Sequence, residues 1–457
     1  MHTITKINGL FLIEIENFLS HTEINTLLQP RKQQFKKAIS HYPDYYRNND
    51  RLVEDDQELA NTLFQKVKQH QLPHVEASFV GLNKRIRFCR YQKNQFFDKH
   101  QDGVFHQDDM HRSQFTFLLY LNDNSSFDAG ETHFYTTKTS ETPVKTIRPK
   151  KGKLVIFDHQ IWHKGATVTL GNKYILRSDV MIKSKDLNTH HQGYIWKLLK
   201  LNETAFLSCG RDRKIKHWNA QLELQNTFEI HTKSVLKIVS FGKNEYLSCS
   251  RDFTIKKWNL SGEVLAVIHL PEMILNMLCL PNERIIAVGT SGKVYVLSAA
   301  LKVIKRIAVH KAWVWDAALL DEATLISCCE AGKIQLTHLS SEKSRCIYEH
   351  EQPLCSINAE KKKLILIGTK DGTLIQWCTR TKTSTKIKVH DDIIRSIVYY
   401  GKYILSCGED NKLMLTDMRS GRTKELWRSC NFLQDIMVMN KAIYVAGYDG
   451  MIHKVKI

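Results

Sequence analysis

His100 and Asp102 stand two residues apart, so in an extended segment both side chains leave the same face, where a histidine on a facing strand can complete a triangle. Two imidazoles and one carboxylate on one face of an octahedron suit non-haem Fe(II), because three positions stay open for a cosubstrate and O₂. The pair alone is equally what a satisfied surface contact looks like. His106 and His111 follow in a loop rich in Asp and His, read as an exposed polar loop, with substrate contact as the alternative.

The surrounding stretches decide between those readings. RIRFCRYQKNQFFDKHQDG, FTFLLYLND, AGETHF and PKKGKLVIFDHQIWHKGATVTLGNKYILRSDV occur in that order, and together they resemble the prolyl 4-hydroxylase type of Fe(II)/2-oxoglutarate dioxygenase over Lys84–Lys183. The resemblance implies a double-stranded β-helix (jelly-roll) with His100, Asp102 and His163 as iron ligands, 2-oxoglutarate and O₂ as cosubstrates, and ascorbate as reductant. His163 precedes Lys164–Gly165 as the family's ligand does; His159, four residues earlier, is the alternative and is expected to pack or hydrogen-bond at the end of LVIFD. Retention of Asp102 argues against a halogenase, where that carboxylate gives way to a small residue.

A dicarboxylate cosubstrate demands a cation at the far end of its pocket. The resemblance places that cation on the strand after the distal histidine, which makes Lys173 the first candidate and Arg177, on the same face, the second. Arg177 has alternatives: a buried ion pair with Asp179 or Asp102, or a substrate contact. Tyr120 in LLYLND matches a position that hydrogen-bonds the cosubstrate carboxylate, and Tyr91 in CRYQ one that faces the iron pocket; either is otherwise a barrel aromatic. Thr132 and Phe134 are expected to line the interior.

Positioning these groups needs strands. After Pro73, short alternating or apolar runs at Arg85–Tyr91, Gln114–Leu121, Thr132–Tyr135, Lys153–Phe157, Ala166–Thr169 and Tyr174–Ile182 predict an antiparallel barrel or sandwich. Ahead of them, Ser20-His21-Thr22-Glu23 has capping-box spacing and Asp55–Gln71 carries apolar residues at helical spacing, so two helices should buttress the sheet.

A second organisation begins near His190. About every 40 residues a His, two strands, a turn and a strand ending near Trp recur, giving seven units to Ile457. His190 or His191, His231, His310, His350 and His390 open units; Asp212, Asp252, Asp371, Asp410 and Asp449 mark turns; Ser291 and Ala331 replace the turn Asp in the third and fourth. These residues resemble a WD-repeat β-propeller, a fold in which a His and a turn Asp can hydrogen-bond within one blade. Ring closure is open: either the seventh blade has three strands or Tyr174–Ile182 contributes. The chain is thus expected to be mainly β, with an oxygenase domain over 1–185 and a seven-bladed propeller over 190–457.

Hydrophobic residues make up 42% and charged ones 25% of the 457 residues, which excludes a disordered chain. No apolar run approaches a membrane span, and Glu14 and Glu16 interrupt the first apolar stretch, so no membrane association and a cytoplasmic location are expected. Eleven cysteines without a CxxC fit free thiols, and Cys209, Cys249, Cys328 and Cys407, in look-alike strings, read as repeat core. The net charge is +19, with 27 basic against 20 acidic residues up to Lys185 and 39 against 27 beyond, so it is spread over both halves. The reading is a protein hydroxylase whose propeller holds the substrate; the alternatives are an oxygenase acting on nucleic acid or a ribosome-associated target, motivated by the charge, and a non-catalytic scaffold.

Overall fold

The strand reading of the sequence starts after Pro73, yet the chain opens with a hairpin. Asn8 and Gly9, at φ 50° and 80°, turn it between β1 (His2–Ile7) and β2 (Leu10–Ile15), the Asn-Gly pair being the residues a type I′ turn favours. The computed structural model describes residues 2–37, 48–70, 72, 79–105, 107, 111–183, 190–429 and 431–455, so His106 lies outside the described residues. The chain divides into two compact units, Met1–Leu187 and Asn188–Ile457.

The first unit continues with α1 (His21–Leu28), β3 (Lys36–Lys37), β4 (Asp50–Asp55), α2 (Gln57–Lys68), β5 (Phe79–Leu82), β6 (Arg85–Tyr91), β7 (Phe97–His100) and β8 (His111–Tyr120). Then come β9 (Phe127–Ala129), β10 (Thr132–Tyr135), β11 (Lys145–Ile147), β12 (Leu154–Asp158), β13 (Trp162–Gly165), β14 (Val168–Gly171) and β15 (Lys173–Lys183). The major sheet runs β1-β2-β12-β8-β15-β6-β4-β3, with β5 also on β15; the minor sheet runs β11-β10-β13-β7, and β9 pairs with β14.

Alternation along the central strands gives the major sheet two working faces. Phe115, Phe117 and Leu119 of β8, Leu176 and Val180 of β15, and Ile86 and Phe88 of β6 pack with Ile24, Leu63, Phe64 and Val67 of the helices. The residues between them, Leu118 and Tyr120, Ile175, and Cys89 and Tyr91, share a core with Phe97 and Phe134 of the minor sheet. Both helices are fixed at their starts. Ser20 and Glu23 exchange the two bonds of a capping box, and Asp56 accepts the Leu59 N–H at 2.9 Å, each such cap stabilising by about 1 kcal/mol.

The second unit is a succession of seven antiparallel sheets, six four-stranded and the last three-stranded among the described residues. Their first strands are Ile195–Lys200, Val235–Phe241, Ile274–Cys279, Val314–Leu319, Leu354–Asn358, Ile394–Tyr400 and Leu433–Met439. Each lies beside the next and the last meets the first, so the ring closes, as in a propeller. Tyr174–Ile182 belongs to β15 of the first unit and takes no part. Side chains make the join: Asp435 accepts Lys197 Nζ and the Leu198 N–H, both at 2.8 Å, and Tyr444 donates to the Ala220 carbonyl at 2.7 Å.

Local hydrogen bonds explain the repeat. His191, His231 and His390 each contact a turn carboxylate through Nδ1 (Asp212, Asp252 and Asp410, 2.8–2.9 Å) and a serine through Nε2 (Ser208, Ser248 and Ser406, 2.7–2.8 Å). In the third sheet the pattern is inverted, Ser291 donating to Glu272. In the fourth, Ala331 offers nothing, and the buried Nδ1 of His310 has no hydrogen-bond partner. Cys209, Cys249, Cys328 and Cys407 sit in the apolar cores. Every described cysteine is free, and no helix among the described residues is long and apolar enough to cross a membrane.

Candidate metal centre

β7 and β13 of the minor sheet pair so that His100 and His163 are register partners, and Asp102 follows β7 directly. The Asp102 N–H donates to the His159 carbonyl at 3.0 Å, which turns its carboxylate back toward the two rings. Asp102 Oδ1 lies 3.6 Å from His100 Nε2, and Oδ2 lies 3.6 Å from His163 Nε2. All three residues are buried, with ligand atoms within 4.8 Å of one another. With such ligands about 2.0–2.2 Å from a metal, cis pairs stand about 3 Å apart, so a small contraction would close the set on one ion.

The second shell fixes which atoms face inward. His100 Nδ1 donates to the Asp98 carbonyl at 2.6 Å and His163 Nδ1 to the Ile161 carbonyl at 2.9 Å, so each Nε2 presents its lone pair toward Asp102. Phe97 stacks on His100 with centroids 3.5 Å apart, and Phe157 meets His163 edge-on at 4.6 Å. Burial holds both imidazoles neutral, His163 down to about 3. Burial alone would raise Asp102, but Arg177 and then the histidines keep its carboxyl well below the usual range. Neutral imidazoles and an ionised carboxylate are the states a metal needs, so the donor set fits a divalent ion.

The sheet opposite supplies the rest. Arg177 Nη2 reaches Asp102 Oδ1 at 2.5 Å, whereas Asp179 is engaged by Arg87 and Asn83. Of the readings open for Arg177, the structure shows the ion pair with Asp102, while the side chain also lines the cleft shared by Lys173 and the two histidines. Thr116 donates to Asp102 Oδ2 and lies 3.0 Å from His159 Nδ1; His159 Nε2 lies 2.9 Å from Ser113 Oγ, which also accepts the Phe105 N–H at 2.7 Å. His159 is therefore outside the ligand triangle and two hydrogen bonds from Asp102. Sequence reasoning passed over Thr116, whose signal was a hydroxyl within the apolar run FTFLLY on the face of Tyr120.

Lys173 begins β15, opposite Tyr91 of β6. Its Nζ donates to the Gly130 carbonyl at 2.5 Å and lies 5.4 Å from the Tyr91 ring and 5.5 Å from that of Tyr120. Gly130, at φ +76°, brings its carbonyl there by a turn in which a Cβ would press on Val168 and Lys173 at 3.1–3.2 Å. The ammonium is buried and has no carboxylate within ion-pair distance among the described residues; burial lowers it to about 8, against a pull from Glu131. Tyr120 OH and Thr132 Oγ1 are 2.6 Å apart, and burial raises the phenol. Lys173, Tyr91, Thr132, His100 and His163 line one narrow cleft. Phe134 packs on Phe157 and His163, while His111 opens β8 away from this cleft's lining.

Residues 86–178 match the model of the 2OG-Fe(II) oxygenase superfamily, and residues 222–259 match that of the WD domain, G-beta repeat. The WD repeat-containing protein 55 homolog of Drosophila yakuba is 25% identical over 162 residues, which cover 34% of this chain and 31% of that protein. The chain thus spans about a third of the curated relative it matches. The solved structure of the computationally designed Ika8 protein is similar at 16% identity and a TM-score of 0.49, over 59% of this chain and 98% of that one. The chain carries a 2OG-Fe(II) oxygenase domain and a WD40 repeat.

Proposed function

We propose that the first unit is an Fe(II)- and 2-oxoglutarate-dependent dioxygenase of the prolyl 4-hydroxylase type, its two sheets forming a double-stranded β-helix over residues 1–185. It hydroxylates proline or another residue of a protein held by the second unit, a seven-bladed WD-repeat propeller over 190–457. The observation that carries this reading is the meeting of His100, Asp102 and His163 beside a cleft that His100 and His163 line together with a buried lysine lacking a carboxylate partner.

His100, Asp102 and His163 would hold the iron. When bound, iron and 2-oxoglutarate supply the oxidising chemistry, one oxygen atom of O₂ leaving in succinate as CO₂ is lost and the other entering a substrate C–H bond. The chain's own residues position. Lys173 faces the distal carboxylate of 2-oxoglutarate as a point charge, with the Tyr120 hydroxyl beside it. Arg177 and Thr116 hold the two oxygens of Asp102, and Phe134 and Phe157 keep the histidine side dry. Ascorbate as reductant is carried by the family resemblance alone. The free thiols of the described cysteines, six buried and Cys346 exposed, suit a reducing cytoplasm.

Asp102→Ala should abolish Fe(II)-dependent succinate formation, and an unchanged rate would defeat the assignment. Lys173→Ala should raise the 2-oxoglutarate requirement, while Arg177→Ala should weaken metal binding first. Mass spectrometry of proteins captured by Asp102→Ala, then exposed to native enzyme, should reveal a residue heavier by one oxygen. An oxidised nucleobase in its place would favour the nucleic-acid reading that the +19 charge motivates.

A further inference from the structure

The seven sheets place their second-to-third-strand turns around one end of the ring, and three of these turns open on a cation, Arg211, Arg251 and Lys370, of which Lys370 faces Glu330. Arg211 and Arg251 occupy equivalent positions, 40 residues apart, in the first and second sheets. Their backbone N–H groups are tied to the Tyr194 and Ser234 carbonyls at 2.7 and 2.9 Å, so the turns are fixed. Arg211 lies over the Tyr194 ring at 5.0 Å and Arg251 over that of Trp196 at 5.7 Å. Trp196 is anchored in turn, its Nε1 donating to Ser234 Oγ at 2.8 Å, and Tyr448 packs 4.1 Å from Tyr194. The guanidiniums are therefore held near the rings by cation–π attraction, and both side chains are exposed.

Two acids of the same rim are already used. Glu409 pairs with Arg395 and accepts from Tyr448, and Glu330 accepts the Trp315 Nε1–H and lies 3.5 Å from Lys370. Among the described residues, Arg211, Arg251 and the neighbouring Lys233, all exposed, have no carboxylate partner. Three exposed cations thus stand beside an aromatic floor, while Glu330 and Glu409 of the same rim are matched.

We propose that this end of the second unit binds an anionic segment of a protein, its carboxylate or phosphoryl group received by the forks of Arg211 and Arg251 with Lys233 beside them. Two observations favour a peptide over a nucleic acid. The rings that would stack bases are covered by the arginines and by Tyr448, and the cations form one compact group instead of a groove tracking many phosphates. This deepens the reading of the second unit as the recruiting one, yet binding at the site does not require the oxygenase reading to hold.

The test uses the full chain and fluorescence anisotropy with four labelled probes of twelve units: a glutamate-rich peptide, a peptide of the same length carrying phosphoserines, an uncharged serine-glutamine peptide and single-stranded oligouridylate. Both acidic peptides, or one of them, should bind, the pair of results telling carboxylate from phosphoryl. Arg211→Gln with Arg251→Gln keeps the aliphatic stems on the rings and should weaken that binding at least tenfold. Lys243→Ala with Arg284→Ala removes the same charge from exposed hairpin turns at the opposite end of the ring and should change it less than twofold. Equal losses in the two double variants would reduce the effect to net charge and overturn the proposal. So would failure of both acidic peptides to outbind the uncharged one, or tighter, Arg211- and Arg251-dependent binding of oligouridylate. The readout is peptide binding alone and needs neither iron nor 2-oxoglutarate, whereas the oxygenase reading stands or falls on succinate formation by native protein against Asp102→Ala, which separates failure here from failure of that reading.

Discussion

Thr116→Val tests whether the second shell of Asp102 sets metal affinity. The Thr116 hydroxyl serves two buried groups, Asp102 Oδ2 and His159 Nδ1. One direction of donation satisfies the whole chain. Ionised Asp102 only accepts, so Thr116 O–H donates to it; Thr116 Oγ then accepts from His159 Nδ1–H, and Nε2 is left to accept from Ser113. Valine keeps the shape, deletes the hydroxyl, strands the His159 N–H and frees one carboxylate oxygen to rotate. Loss of an orienting partner behind a metal ligand costs about 10–100-fold in affinity, or about 1.4–2.7 kcal/mol. Stranding a buried donor costs about 1–3 kcal/mol of stability, and at about 2–4 °C per kcal/mol for a unit of this size the melting temperature should fall about 2–12 °C. Anaerobic calorimetric titration with Fe(II), and with Mn(II) as a redox-silent probe, reads the first effect; differential scanning calorimetry reads the second. Thr116→Ser, which restores the hydroxyl, should recover most of both. A folded Thr116→Val protein binding either metal within twofold of native would refute the claim that this hydroxyl positions Asp102.

Two further outcomes follow from perturbed groups. Lys173 is lowered to about 8 by burial, so it is charged at pH 7 and loses its proton as pH rises through that value; the KM for 2-oxoglutarate should climb between pH 7 and 9, and a flat profile would remove Lys173 from that role. Burial lowers His310 to about 4, below the 6.5 of the unfolded chain, so its contribution to stability is complete above pH 6.5 and is lost as pH falls toward 4. Ala331→Asp restores the carboxylate found at Asp212, Asp252 and Asp410; it should add about 1 kcal/mol at pH 7 and more at pH 5, read from denaturant midpoints, whereas a gain that shrinks on acidification would contradict the pairing.

The parts of the molecule legible in the sequence were those written in local chemistry. Strand β6 appears at Arg85–Tyr91 as its alternation indicates, and the Ser20–Glu23 capping box forms because both partners lie within one turn. The hairpin β1–β2 was equally local and was signalled by Asn8–Gly9, but its second strand opens on four consecutive apolar residues, Leu10–Ile13, which hide the alternation where it lies against β12. In the ring, a repeat of about 40 residues exposed the sheets even where the His or Asp was missing. The exchange of roles between Glu272 and Ser291 was invisible, since the same bond is made from the opposite ends.

At the candidate centre, the two-residue spacing determined that His100 and Asp102 share a face, and the motif order put His163 beside them. Spacing could not decide what the partners of Asp102 are. Arg177 could reach the cosubstrate pocket, Asp179 or Asp102 from one strand position, and the choice rests on where β15 lies against β7, a relation between residues 75 apart in sequence. Thr116 and His159 are likewise ordinary until β8 and the end of β12 bring them to one carboxylate. Covalent spacing fixes which face a side chain leaves; only the packing of one sheet on another fixes what that face meets.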